Sequence, residues 1–327
     1  RMVGDSGILA FQRLRPATTR FAREELYGVS YIRNYMMKDG SVRTNPGWGN
    51  PGIDRPMSKI DPEFSAMFFY DETDQPIGLL ANFAMHHDCV GGNQYSGDYS
   101  GYMAQELKKN FGQGFVTVFL NGACGNINHA DMTKSAEEFA REATYEKIGR
   151  KLADEVVKLY KDAEPFAIDR IAGKKEVLFI PRRSVSDEEV QATRELVATI
   201  PMEGLVFSMN EPESPKYKRA KGERLLAFIE LPEKLPVSVQ AMRLGACMLY
   251  ALSGEVYTEF GQYIKAHSPC SCNMVAELAN GGESCYIPTP EAFGTEIYEA
   301  QIPSSRLIPE AGENMAKHAL SLAQELF

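Results

Sequence analysis

Two short apolar runs, IGLLANFAM (77–85) and GFVTVFLNG (114–122), flank the segment DYSGYMAQELKKNFG, and this triplet constrains the fold more than any other feature. Both runs are bounded by turn residues and read as buried strands. In the segment between them Tyr102, Met103, Leu107 and Phe111 recur at helical spacing. A strand–helix–strand unit of this kind is the signature of an α/β sheet.

The surrounding pattern agrees with that reading. SAMFFYD (65–71) supplies a third strand, joined to the 77–85 run by DETDQP, a turn-forming stretch suited to a hairpin. The long segment SAEEFAREATYEKIGRKLADEVVKLYKDAE (135–164) opens on Ser135 with Glu138, a capping-box pattern, and reads as one helix of about seven turns able to cover a sheet. A second capping pattern, Ser186 with Glu189, opens another helix. Residues 203–224 are irregular and Pro-bearing and are expected to form a surface loop. The basic cluster KYKRAKGER (216–224) lies in it, read as a solvated face or, alternatively, as a contact for an anionic surface. Strands return in PVSVQAMRLGACMLYALSG (236–254), with RLG as a hairpin turn, and GENMAKHALSLAQELF is an amphipathic terminal helix. The expectation is an α/β fold, mixed sheet or sheets flanked by helices, in a single domain.

Composition narrows the function classes. With 44% hydrophobic and 24% charged residues over 327 positions, the chain has the balance of a soluble globular protein and enough length for a large core. No apolar run is long enough for a transmembrane segment. A net charge of −9 and a pI near 5.3 argue against a nucleic-acid partner, which needs a basic stripe. Six cysteines are too few for a disulfide scaffold of this length, and Cys270, Cys272 and Cys285 match zinc-ribbon spacing poorly, so ordinary buried thiols are expected, with a disulfide or a metal site as the alternatives.

Three strand exits carry the residues that active sites use. NFAMHHD ends in His86, His87 and Asp88, and only five histidines exist in the whole chain. FLNGACGNINHAD places Asn126, Asn128 and His129 after Gly122 and Gly125, which permit tight turns. ALSGEVYTEFG puts Glu255 past a glycine and begins a helix with Glu259 one turn on. Ligand sites in open α/β sheets lie at the carboxyl ends of strands, so this clustering has a physical basis. Each residue alone also has an ordinary reading, as a hydrogen-bonded strand-end histidine or a glutamate complementing a helix dipole. Imidazole and carboxylate converging on one point are what a Lewis-acidic zinc ion needs.

The ordered motifs YIRNY, NFAMHHD, SGDYSGY, FLNGACGNINHAD, LSGEVYTEFG, YIPTPEAFGTEIYEA and PEAGENM resemble those of the neutral/alkaline non-lysosomal ceramidase family over roughly residues 15–327. The likeness is to its short bacterial branch, which lacks the C-terminal immunoglobulin-like domain. The resemblance implies a catalytic domain over residues 1–327 and a zinc-dependent hydrolase cleaving an amide-type (N-acyl) bond, in lipid metabolism. It implies Zn2+ held by His86, Glu255 and Tyr286. Tyr298 matches a second active-site tyrosine and Arg33 a substrate-contacting arginine, with Asn128 and His129 lining the cleft. The expected partner is a small-molecule or lipid-like amide substrate, with no nucleic acid. Secretion or a periplasmic location with the signal removed is one expectation for the compartment.

Two departures from the family pattern bear on function. The family's further zinc-binding histidine, in an H-T-H-S-G-P-like segment, has no counterpart here, and the chain is expected to start after that segment. Where ceramidases carry G-D-x-S-P-N, this chain has GNINHAD, with Asn126 at the aspartate position and Asn128 at the serine position. Asparagine can donate to an oxyanion but cannot act as a nucleophile. An alternative expectation is therefore a catalytically inactive homologue serving as a binding module. A metal-free serine hydrolase is disfavoured, since no G-x-S-x-G elbow is present.

Overall fold

The structure, a computed structural model, describes residues 2–201, 214–281 and 285–327. Its centre is a pair of stacked sheets. The five-stranded sheet runs in the order Glu164–Phe166, Thr18–Glu25, Glu63–Tyr70, Pro76–Phe83, Val116–Asn121. All its pairs are antiparallel except the last, which is the parallel pair bridged by the helix Asp98–Phe111. The four-stranded sheet runs Ile171–Pro181, Lys234–Leu244, Cys247–Leu252, Cys272–Ala276, again closing on a parallel pair.

Strand alternation explains why these runs are apolar throughout. On Glu63–Tyr70, Phe64, Ala66, Phe68 and Tyr70 face the helices Asp98–Phe111 and Tyr145–Asp162, while Met67 and Phe69 face the other sheet. On Cys247–Leu252, Met248, Tyr250 and Leu252 face the helices Thr258–His267 and Ala311–Gln324, while Cys247 and Leu249 meet Met67 across the sheet interface. Each of these two strands buries both faces, so the period-2 polar signal vanishes there. The result has four layers, helix–sheet–sheet–helix, which is the expected α/β architecture of mixed sheets flanked by helices. Asn82, buried in the interface, ties the sheets together by donating to the carbonyls of Leu120 and Val275 (2.9 Å each) and accepting from Val275 N–H.

Two local expectations are corrected. Residues 203–224 are not a loop where they are described: the helix Pro215–Ile229 covers the basic cluster, and positions 203–213 lie outside the described residues. Ser214 caps it by accepting from Tyr217 N–H, and Pro215 occupies the first turn, where a missing N–H costs nothing. Gly222, Leu225 and Phe228 form its buried face, and a Cβ at Gly222 would stand 2.7 Å from Val197 of the preceding helix Asp187–Thr199. The 135–164 segment is two helices, Ala136–Glu142 and Tyr145–Asp162, with Thr144 capping the second. The break lets Phe139 stack on Trp48 (ring centroids 4.2 Å) while Ile148, Leu152 and Val156 enter the main core. The Ser135–Glu138 capping box forms as expected, and Ser186 caps its own helix through Glu189 N–H. Among the described residues no helix is long and apolar enough to cross a membrane.

Candidate metal centre

The carboxyl ends of four strands meet at one place. Glu277, just past Cys272–Ala276, donates its N–H to the carbonyl of Asn121 at the end of Val116–Asn121, and Gly122 N–H bonds to Phe83 at the end of Pro76–Phe83. Gly122 and Gly125 are needed here for close approach rather than for a left-handed turn. A Cβ on Gly122 would lie 2.9 Å from the backbone of Ala84, and one on Gly125 would lie 2.4 Å from the carbonyl oxygen of Glu255. Gly125 N–H in turn donates to Val256 (2.8 Å), fixing the 124–127 turn against the segment that carries Glu255.

That packing sets the orientation of His86. Its Nδ1 is 2.8 Å from both the Cys124 and Ile127 carbonyl oxygens. Carbonyls only accept, so Nδ1 bears the hydrogen and the neutral ring has its lone pair on Nε2. Nε2 is 3.0 Å from Glu255 Oε2. Burial depresses the imidazole pKa, but the hydrogen bond to Glu255 and the negative charges of Glu277 and Glu255 together outweigh it, and the net shift is upward. Burial raises Glu255, while hydrogen bonds from His86 and Tyr286 reverse that and hold it below its ordinary value.

Tyr286 is delivered by a two-residue parallel ladder in which Glu255 pairs with Tyr286 and Val256 with Ile287. Glu255 therefore lies in a short strand, and the helix expected at this point begins only at Thr258. The Tyr286 ring stacks near His86, with centroids 6.4 Å apart and planes 14° apart, and its hydroxyl is 3.2 Å from that of Tyr298. Burial pushes both phenols up, against the opposing pull of Arg33. The Arg33 guanidinium lies 5.1 Å from the Tyr286 ring centre and 5.4 Å from that of Tyr298. It is buried and held by an ion pair to Glu299 (2.9 Å) and a hydrogen bond to the Gly125 carbonyl (2.7 Å). Burial works against its charge, but Glu299 together with the Tyr298 and Tyr286 phenols outweighs that, so it stays protonated.

Of the residues singled out from sequence, His86, Glu255, Tyr286, Tyr298 and Arg33 are thus brought together. Asn128 and His129 are not part of this cluster. Asn128 donates to Asn45 Oδ1 (3.0 Å) and accepts from Ala130 N–H, and His129 Nδ1 is paired with Asp88 at 2.7 Å. They line a cavity with Asp88, Cys89 and Trp48 that shares no residue with the one lined by Glu255, Tyr286 and Tyr298. His87 is spent on the helix Asp98–Phe111: its Nε2 bonds Ser100 Oγ and its ring stacks on Tyr99. Asn126 serves the helix Thr258–His267, accepting from Thr258 N–H and donating to Glu259.

Three groups at the site lie outside the residues singled out from sequence. Glu299 is fully buried and bonded by Thr44 as well as Arg33. Glu277 is buried behind His86, accepting from Cys124 N–H and Sγ (3.0 Å each) and from Asn121. Burial pushes its pKa to about 7. Cys124, buried beside Glu277, is held in its thiol form and donates to it. His86, Cys124 and Glu277 lie close enough to hold an ion, as do Asp88, Cys89 and His129. The first set uses the side of His86 already committed to carbonyls, and burial keeps both Cys124 and Cys89 as thiols, so neither matches the donor set at Nε2.

The His86–Glu255 pair does fit a zinc ion. Two ligand atoms on one tetrahedral zinc stand about 3.3 Å apart, close to the 3.0 Å between Nε2 and Oε2. The fixed Nδ1–H is the outer hydrogen bond that orients a zinc-binding imidazole.

No family model matches the sequence, and no curated protein matches it. Solved structures do match in three dimensions. A ceramidase complexed with C2 superposes with a TM-score of 0.65 at 17% identity, covering 96% of this chain and 54% of that one. Neutral ceramidase from Pseudomonas aeruginosa gives 0.64 at 18% identity, covering 98% and 54%. The four-layer α/β sandwich is therefore a known architecture: this chain has the neutral ceramidase fold, and spans about half the length of the structures it matches.

Proposed function

We propose that the chain is a member of the neutral ceramidase-like family and a zinc-dependent hydrolase of amide-type (N-acyl) bonds. The observation that supports this reading best is the His86 ring, with Nδ1 locked by two carbonyls and Nε2 aimed at Glu255. His86, Glu255 and Tyr286 would hold the zinc ion. When bound there, zinc supplies Lewis acidity, polarising an amide carbonyl and lowering the pKa of water.

The remaining work falls to the chain itself. Arg33, kept charged by Glu299, stabilises negative charge on the Tyr286 oxygen and at the substrate oxygen. Tyr298 Oη, beside Tyr286 Oη, donates a hydrogen bond to the carbonyl oxygen as it gains charge. A cavity of about 620 Å3 lined by Glu255, Tyr286 and Tyr298 takes the amide, which is ordinary size for a small-molecule site. Asn128 and His129 act as positioning groups, bracing the loop after Val116–Asn121 through Asn45 and Asp88.

A second reading, a metal-free binding module of the same fold, is favoured by one feature: the three donors include a phenol that burial holds protonated. Elemental analysis after dialysis against zinc and then chelator-free buffer separates the two. Near-stoichiometric zinc with turnover of an N-acyl amide supports the hydrolase. Absence of zinc after loading supports the module.

A further inference from the structure

The helix Pro215–Ile229 brings a charge to the candidate cavity that the hydrolase reading does not use. Tyr217, Lys221 and Arg224 recur at i, i+4 and i+7, one face of that helix, and all three line the same cavity as Glu255, Tyr286 and Tyr298. The other cations of the helix are engaged: Arg219 pairs with Glu223 and bonds the Val197 carbonyl, and Lys216 and Lys218 have interactions of their own. Lys221 and Arg224 are exposed and have no carboxylate partner among the described residues. In a chain of net charge −9, two cations side by side at a cavity, with no carboxylate partner among the described residues, offer positive charge to a ligand there. Among the described residues, Glu296 is the one acid lining this cavity besides Glu255.

We infer that Lys221 and Arg224 select an acyl amide whose amine portion carries an anionic group, a carboxylate or a sulfonate. This rests on the hydrolase reading and specifies its substrate class. An Arg and a Lys one turn apart offer a forked donor and a point charge to one oxyanion, which a neutral amino alcohol would leave unpaired. Tyr217 on the same face adds an aromatic wall beside them. The cluster read from sequence as a solvated face is thus a selector turned toward the cavity.

The test compares N-dodecanoylglycine, N-dodecanoyltaurine and neutral N-dodecanoylethanolamine on the zinc-loaded protein. The readout is the ratio of kcat/KM for each anionic amide to that for the neutral one. Lys221→Ala with Arg224→Ala lowers that ratio about tenfold, and Lys221→Glu with Arg224→Glu lowers it further. Lys108→Ala, on the helix Asp98–Phe111 and outside the cavity, leaves it unchanged. Loss of preference for the taurine amide alone marks a carboxylate site, and equal preference marks a general anion site; both support the inference. A ratio insensitive to the double substitution overturns it. Calorimetric binding of the same three amides to Glu255→Ala needs no turnover and keeps the two readings apart. Tighter binding of the anionic amides through Lys221 and Arg224 without any hydrolysis by the native protein sinks the hydrolase reading alone. Hydrolysis without anion preference sinks this inference alone.

Discussion

Glu255 stands directly opposite Tyr286 in a parallel ladder only two residues long, so one backbone pairing presents a carboxylate and a phenol to His86. A donor set assembled this way is held by main-chain hydrogen bonds before any ion arrives. Removing a donor therefore has a different consequence from disturbing the frame.

Glu255→Ala removes a donor. Its side chain is partly exposed, so truncation leaves no sealed cavity, and the ladder's backbone bonds remain. The expected outcome is zinc affinity lower by at least about 100-fold, with loss of amide hydrolysis and little change in thermal stability. Zinc content after dialysis, read beside a melting curve, checks it. Full activity in this variant would remove the zinc hydrolase from consideration.

Arg33 and Glu299 belong to the frame. Their pair is buried on both sides, and removing one partner leaves an uncompensated charge in the interior. Arg33→Ala and Glu299→Ala are each expected to cost about 3–5 kcal/mol. The double substitution should cost less than the sum, because neither charge is then stranded. Urea denaturation of the four proteins gives the coupling directly.

How far this architecture could be read from sequence depended on which signal each element carried. The strands of both sheets were legible because SAMFFYD, IGLLANFAM and GFVTVFLNG are apolar on both parities and end in turn residues. The helix at 215–229 is not legible in the same way, because the prolines around its start suggest a loop, whereas Pro215 sits where a helix tolerates it best. His86, Glu255 and Tyr286 were reached through a family resemblance; strand-exit logic alone would have found the first two. That logic also applies to Glu277, which directly follows the apolar run MVA, yet its partner Cys124 lies 153 positions away, and such a contact across the sheets leaves no trace in local pattern. Glu299 is hidden for the same reason, its role being fixed by Arg33 rather than by its neighbours.

Gly125→Ala tests the frame from the other side. The added Cβ would meet the Glu255 carbonyl oxygen at 2.4 Å and its carbon at 2.9 Å, both backbone atoms that cannot rotate away. The strand carrying Glu255 must shift, so a methyl group should cost about 1–3 kcal/mol of stability and weaken zinc binding as well. Unchanged zinc affinity in a destabilised variant would mean that the ladder does not set the donor geometry. Differential scanning calorimetry with and without zinc separates these outcomes.

Glu277 gives the metal-free protein a pH signature. Burial raises its carboxyl from 4.5 to about 7, so between those values the native state keeps a proton that the unfolded chain has released. Stability from this group is therefore fully present below pH 4.5 and falls as pH rises toward 7, by on the order of 3 kcal/mol in all. Glu277→Gln, whose amide oxygen can still accept from Cys124 N–H, carries no such proton. The variant's stability relative to the native protein should thus climb from about pH 4.5 to about pH 7 and level off above that. Urea midpoints across that range check the slope, and parallel curves for the two proteins would show that Glu277 is ionised throughout.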